Sequence, residues 1–356
     1  MIKARGLTKR YGDFTAVDNV DIDIEKDHIY GFLGLNGAGK TTTLGMITGT
    51  LSCTSGSIEV CGADMATDSV SAKKHIGFLP ENPPLYPDLT PYEYLLFVAE
   101  AKGLKRKTAI EAANKALAMT GLTTVKDRLI KNLSKGYKQR TGIAQAIIGD
   151  PDIIIFDEPT SALDPKQVTE VRELIKKLSK GRTVILSSHI LSEIEEICDR
   201  LIIISSGKIV AGGSLSELRS EYTQNDVIEI TAKCKPQRAA GILDTLKKTD
   251  RYEMSEEKEG AVIRIETPKD KDIRESLFFA FAKAGVPITG MRKISPTLED
   301  VFLKATSCAE SGEESDGSDK PPCLQGPVKT PKAAEATSSE GGSDRNDDTP
   351  YRPLFG

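Results

Sequence analysis

The most specific chemistry in the chain sits in eight consecutive residues, Gly34-Leu35-Asn36-Gly37-Ala38-Gly39-Lys40-Thr41, followed by Thr42. They match a glycine, four variable residues, then Gly-Lys-Thr. They lie directly after the apolar run Ile29–Leu33 and before a helical pattern containing Leu44, Met46 and Ile47. A strand, a glycine-rich turn and a helix in that order form a phosphate cradle. The glycines let the backbone wrap so that N–H groups point inward, and the following helix adds its positive end. Lys40 is placed to bridge the β- and γ-phosphates, and the Thr41 hydroxyl to ligate Mg²⁺. Such a loop needs an acid on a neighbouring strand, and Ile153-Ile154-Ile155-Phe156-Asp157-Glu158 offers two. Asp157 is the candidate for holding Mg²⁺ through water, and Glu158 for polarising an attacking water as general base.

These residues need a scaffold. Short apolar runs at Ile29–Leu33, Ile76–Leu79, Ile153–Phe156, Thr183–Leu186 and Leu201–Ile204 alternate with amphipathic stretches such as Val168–Leu178 and Leu191–Cys198. That alternation predicts βαβ units around a buried parallel sheet. Period-2 stretches early in the chain (Val20, Ile22, Ile24; Ile58, Val60) predict an antiparallel edge region. Four prolines, at 83, 84, 87 and 91, mark a loop before helical patterns over Tyr92–Leu104 and Thr108–Thr120, which read as a helical insertion. From about Asn225 to Thr306 the pattern is strand (226–231), helix (236–248), strand (261–266), helix (270–284), strand (287–294) and short helix (297–304). This is a small α+β domain with a ferredoxin-like arrangement as one candidate.

Composition bounds the rest. The chain has 356 residues and a formal charge of −4. The last fifty residues hold ten acidic and five basic side chains, whereas the preceding 306 hold 42 and 43. The body is therefore near neutral and gives no reason to expect nucleic-acid binding. The tail from Ser307 is rich in Pro, Gly and Ser and cannot bury enough apolar surface to offset ordering entropy, so disorder is expected. No apolar run approaches the roughly 18–20 residues of a membrane helix. The N-terminus shows no signal-peptide core, and the six cysteines form no CxxC pair, no zinc-ligand spacing and no secreted disulfide framework, which points to a reduced, cytosolic setting.

Between the two phosphate motifs lies Leu133-Ser134-Lys135-Gly136-Tyr137-Lys138-Gln139-Arg140. It resembles the signature of ATP-binding-cassette (ABC) ATPases, usually LSGGQ followed by a basic residue and QR, with Lys135 and Tyr137 as departures. Ser134 can cap a helix whose N-terminus faces an anion, and Gly136 permits close approach. The resemblance implies that this anion is the γ-phosphate of an ATP held by an opposite subunit, in a head-to-tail dimer with two ATPs at the interface. It also implies a D-loop at Ser161-Ala162-Leu163-Asp164, a switch histidine at His189 and an adenine-stacking aromatic at Tyr11. Where the family usually has Gln, this chain has Glu81, which would keep the metal- or water-sensing role but adds negative charge near the γ-phosphate. Leu35 replaces the usual proline of the phosphate loop. His28 and His75 have no such context and read as structural residues.

The resemblance therefore implies an α/β, P-loop NTPase ABC cassette over 1–222, with parallel core sheet, antiparallel β edge region and a helical subdomain at about 83–148. A C-terminal α+β accessory domain over 223–306 and an acidic tail over 307–356 would follow. Ser295-Pro296-Thr297-Leu298-Glu299-Asp300-Val301-Phe302 resembles the ending of ABC-2-type exporter ATPases, and Gly77-Phe78-Leu79-Pro80-Glu81 is similar to the gliding-motility-associated branch. The implied function is ATP hydrolysis, with ATP and Mg²⁺, powering a separate integral membrane permease, by a homodimer or with a paralogous ATPase subunit. The implied location is cytoplasmic, peripheral on the inner face of the cell membrane, and the segment Leu85–Tyr94 is the candidate docking surface. Alternatives are a non-transport ABC ATPase acting on nucleic acid or the ribosome, and a nucleotide-sensing regulatory module. The first lacks the expected long coiled coils or second cassette, and the second would need a defective base or phosphate loop.

Overall fold

The computed structural model describes residues 1–222, 225–246, 251–257, 260–268, 272–294 and 297–310. Along the chain the elements are β1 (Ile2–Tyr11), β2 (Phe14–Ile24), β3 (Ile29–Leu33), α1 (Lys40–Ile47), β4 (Ser55–Val60), β5 (Ala63–Asp64), α2 (Ser69–Lys74), β6 (Ile76–Leu79), α3 (Pro91–Ala101), α4 (Arg106–Met119) and α5 (Lys135–Ile147). They continue with β7 (Ile153–Asp157), α6 (Pro165–Leu178), β8 (Thr183–Ser188), α7 (Leu191–Ile197), β9 (Arg200–Ser205), β10 (Lys208–Ser214) and α8 (Leu215–Glu221). The last group is β11 (Asn225–Ala232), α9 (Pro236–Asp244), β12 (Arg251–Glu257), β13 (Gly260–Pro268), α10 (Arg274–Lys283), β14 (Ile288–Ile294) and α11 (Leu298–Glu310).

The core sheet has the order β10-β9-β3-β8-β7-β6, parallel except for β10. Every residue of β3 and β7 is buried, as expected of a strand covered on both faces. Side chains alternate between two cores. Tyr30, Phe32, Ile153 and Ile155 face a core shared with α1 and the antiparallel sheet β2-β1-β4-β5. Ile29, Leu33, Ile154 and Phe156 face the core built with helices α3 to α7. The antiparallel edge region and the helical insertion thus stand where the period-2 and proline signals put them. α3 opens on a capping box between Thr90 and Glu93, with Pro91 at its first position.

The C-terminal sheet, in the order β12-β13-β11-β14, is antiparallel throughout and is covered by α9 and α10. The order strand-helix-strand-strand-helix-strand is the ferredoxin-like arrangement. One strand was not legible in the sequence: β12, an edge strand whose Glu253, Ser255 and Glu256 give it little apolar pattern. The closing helix differs in place and length from the expectation. α11 runs on to Glu310, and its stripe Leu298, Val301, Phe302 and Ala305 packs into the cassette core beside α7, α8, β9 and β10 rather than closing the C-terminal sheet. Of the ending motif, Ser295 and Pro296 lie outside the described residues, as does the tail from 311.

Candidate nucleotide site

Three neighbouring parallel strands, β3, β8 and β7, end side by side, with Leu33 paired to Ser188 and Asp157 to Ser187. The loops leaving these carboxyl ends carry Lys40, His189 and the Asp157-Glu158 pair, the position where open α/β sheets hold ligands. Gly39 caps α1 at a φ of 105°, and a Cβ there would lie 2.7 Å from the Ala16 carbonyl, so only glycine fits. Gly34 is equally confined, against the Ile204 carbonyl. Gly37 also takes a positive φ. Asn36 and Leu35 lie on the exposed rim, and Ala38 is tied in by the Gly207 amide, which donates to its carbonyl.

Lys40 is 5% exposed, and its ammonium donates to the carbonyl oxygens of Gly34 at 2.9 Å and Leu35 at 3.3 Å. It also pairs with Glu158 Oε1 at 3.4 Å. The other carboxylate oxygen of Glu158 lies 2.8 Å from His189 Nδ1. Glu158 is therefore held between the phosphate-loop lysine and the histidine after β8. Its φ of 48° is unusual for a non-glycine residue, and such strain collects at working sites. The strain is held by Ser187, whose hydroxyl accepts the Glu158 amide at 2.9 Å and donates to Asp157 Oδ1 at 2.6 Å.

That leaves Asp157 Oδ2, a fully buried carboxylate oxygen with no hydrogen-bond partner. An orphaned buried anion beside a phosphate cradle fits a divalent cation. Thr41, exposed on the first turn of α1, and Thr42 next to it stand at the mouth of the loop.

A second layer was not read from the sequence. Glu193 on α7 is 3% exposed. It accepts from the Thr160 hydroxyl at 2.7 Å and the Ser188 hydroxyl at 3.2 Å, and pairs with Arg172 at 3.5 Å. Ser188 Oγ also accepts the Ile190 amide, so His189 is fixed on both flanks. Pro159, next to Thr160, accepts from the buried Gln139 side chain of α5 at 2.8 Å. Hydrogen bonds linked through the Pro159–Thr160 peptide thus run from the signature helix to the two residues that flank the histidine. A Glu four residues after the histidine was the available signal, but nothing in one sequence marks it as buried.

Other expected residues lie apart. Ser134 caps α5 through the Tyr137 amide, and Asp164 caps α6 through the Gln167 amide. Gly136 is confined by the Gln167 side chain, 2.6 Å from where a Cβ would sit. Among the described residues no hydrogen bond or ion pair joins Ser134, Gly136 or Asp164 to the phosphate loop. Tyr11 is half-exposed at the end of β1, with the Lys9 ammonium 5.2 Å from its ring centre. Glu81 is exposed and lines a cleft of about 360 Å³ with Lys131, Lys135, Lys138, Gln139 and Ser161. Three lysines thus share this cleft with Glu81, one of them, Lys135, a departure from the usual signature.

This phosphate cradle on a parallel sheet, with an antiparallel flank and a helical insertion, defines an ATP-binding cassette, and comparison with known proteins agrees. Residues 17–161 match the family described as "ABC transporter", and residues 213–306 match "ATP-binding protein DrrA1-3-like, C-terminal domain". The chain belongs to the ATP-binding proteins of ABC transporters and is an ATPase of that family. It is 35% identical to the bacitracin transport ATP-binding protein BcrA of Bacillus licheniformis, over 85% of this chain and 96% of that one. It is 34% identical to the uncharacterized ABC transporter ATP-binding protein YhcH of Bacillus subtilis, over 88% and 98%. Among solved structures it resembles an ATP-binding subunit of an ABC transporter, with TM-score 0.57 and 29% identity over 62% of this chain and 93% of that one. It also resembles the dimeric post-hydrolysis state of the cassette MJ0796 bound to ADP and Pi, with TM-score 0.55 and 27% identity over 60% and 99%.

Proposed function

We propose that the chain couples ATP hydrolysis to export through a separate membrane permease, with Glu158 as general base. The observation that carries this reading is the bridge Lys40–Glu158–His189 at the carboxyl ends of β3, β8 and β7. A γ-phosphate competes with Glu158 for Lys40. Once Lys40 turns to the phosphate, Glu158 Oε1 is released to accept a proton from water, while His189 keeps the other oxygen in place. Asp157 and the Thr41 hydroxyl would hold Mg²⁺, with Glu81 as the third candidate, and the cation supplies charge neutralisation on the phosphates. Ser134 and Asp164, which cap exposed helix ends away from the phosphate loop, and Gly136 in the first turn behind Ser134, are left to meet the nucleotide of a second cassette. Tyr11 offers its ring to adenine.

Two tests follow from this reading. With Glu158→Gln blocking hydrolysis, ATP should convert the chain to a dimer in size-exclusion chromatography, and Ser134→Arg should abolish it; a chain monomeric at saturating ATP would refute the shared-site geometry. Docking to a permease falls to the helical insertion, where Tyr86 stacks edge-on against Tyr94 and Phe97, with Tyr86 and Phe97 each about half exposed. No helix among the described residues is long and apolar enough to cross a membrane. Tyr86→Glu with Phe97→Glu should release the chain from membranes while ATPase activity persists; unchanged co-purification with the membrane fraction would refute it.

A further inference from the structure

We infer that Cys61, His75 and Asp152 form a binding site for a zinc-class divalent metal at the opposite end of the core sheet from the nucleotide. One ligand atom from each residue lies within 4.8 Å of the other two. The three come from three places in the fold. His75 directly precedes β6 and Asp152 directly precedes β7, and these strands pair with Ile76 beside Ile153, so the two residues are neighbours one step before the ladder begins. Both backbones are fixed: the Ile153 amide donates to the His75 carbonyl and the Thr183 amide to the Asp152 carbonyl. Cys61 arrives from the other sheet, at the tip of the β4–β5 hairpin.

The hairpin tip supports the assignment independently. Val60 pairs with Ala63, leaving Cys61 and Gly62 as a two-residue turn with φ of 52° and 89°. Such a turn favours Asn, Asp or Gly at its first central position. Cysteine there is held in the left-handed region at a cost in local strain, and strain of this kind is a pointer to function. Cys61 lies at the surface with its thiol partly covered, and the side chains of His75 and Asp152 are 39% and 55% exposed, so an ion can enter and a water can complete a tetrahedron.

The donor set selects the metal. A thiolate, an imidazole and a carboxylate suit zinc and its first-row neighbours, not Mg²⁺ or Ca²⁺. On binding, the Cys61 thiol releases its proton to solvent, and thiolate plus carboxylate balance the 2+ charge. His75 Nδ1 and Asp152 Oδ2 are now hydrogen-bonded at 2.6 Å. A tetrahedral ion with both at about 2.1 Å needs them about 3.4 Å apart, so the pair must open to admit it. The bound ion would staple the antiparallel sheet to the foot of the core sheet. Asp157 and Glu158 lie about 17–20 Å further on in the direction of β7, so the site is separate from the candidate hydrolytic one.

The test uses the full chain, stripped with a chelator and titrated with Co²⁺ as a spectroscopic stand-in for Zn²⁺. One Co²⁺ per chain is expected, with thiolate charge-transfer absorption and tetrahedral d–d bands that Zn²⁺ displaces. Cys61→Ser should remove the charge-transfer band, and His75→Ala should weaken binding at least tenfold, both with circular dichroism and ATPase activity retained. A Zn²⁺-dependent rise in melting temperature should be lost in the same variants. Absence of tetrahedral bands in the parent, or bands that survive Cys61→Ser and so arise at another cysteine, would overturn the assignment.

Discussion

Removing the carboxylate of Glu193 separates positioning from chemistry at the nucleotide site, because Glu193 touches neither Lys40 nor Glu158. Its oxygens serve two hydroxyls, Thr160 and Ser188, and the Arg172 guanidinium, all in a region where Glu193 itself is 3% exposed. Glu193→Ala orphans both hydroxyls and leaves Arg172 to Glu196 alone. Breaking a buried pair in this way costs about 3–5 kcal/mol. Glu193→Gln keeps one acceptor oxygen and exchanges charged for neutral hydrogen bonds, a loss of about 1–2 kcal/mol. Both variants free the turn around His189, and a displacement of 1 Å at a reacting group can cost about a hundredfold in rate. Urea titration followed by circular dichroism gives the stability, and steady-state hydrolysis gives kcat and KM. For Glu193→Gln the expectation is a kcat lowered roughly 10- to 100-fold with KM for ATP within about twofold, because the phosphate loop is untouched. A folded Glu193→Gln protein with parental kcat would refute the idea that this carboxylate sets the histidine.

Other perturbations test separate parts of the account. Gly39→Ala must place a Cβ 2.7 Å from the Ala16 carbonyl at a φ of 105°, so it should lose ATP binding, measured by a fluorescent nucleotide analogue, along with about 1–3 kcal/mol of stability. Phe302→Ala should lower the melting temperature of the cassette itself, by the equivalent of about 3–5 kcal/mol, because α11 packs in the cassette core; an effect confined to the C-terminal sheet would contradict that placement. Glu229 on β11 faces Arg264 and Arg292 on the flanking strands, and its hydrogen bond with Arg264 leads in holding its carboxyl below the ordinary value of 4.5. A depressed carboxylate contributes stability that is present above 4.5 and lost as pH falls below it. Acid titration of the C-terminal sheet should therefore flatten in Glu229→Gln.

The phosphate-loop and paired-acid motifs were readable because their residues are contiguous. Gly34 to Thr41 and Asp157-Glu158 each carry their own strand in the sequence, and the structure returns both strands with those boundaries to within a residue. The signature, too, reads as a capped helix, and Ser134 caps it. What could not be read depends on strand order. Nothing in the sequence says that β8 lies between β3 and β7, yet that order brings His189 and Ser187 between Lys40 and Asp157. Glu193 is missed for the same reason, since a charged residue on an amphipathic helix defaults to solvent. α11 illustrates a third limit. Its stripe Leu298, Val301, Phe302 and Ala305 is plain in the sequence, but periodicity names a buried face without naming its partner, and the partner lies far back along the chain, in α7, β9, β10 and α8 of the cassette, rather than in the adjoining sheet. β12 escaped because an edge strand needs only one apolar face.

The most direct test of the central claim is the turnover of Glu158→Gln against the parent, with ATP affinity measured on the same preparations. Gln keeps the shape and an acceptor for His189 but cannot take a proton from water. Hydrolysis should fall by about 10²–10⁴-fold while ATP still binds. A Glu158→Gln protein that turns over ATP at the parental rate would show that the carboxylate between Lys40 and His189 is not the base.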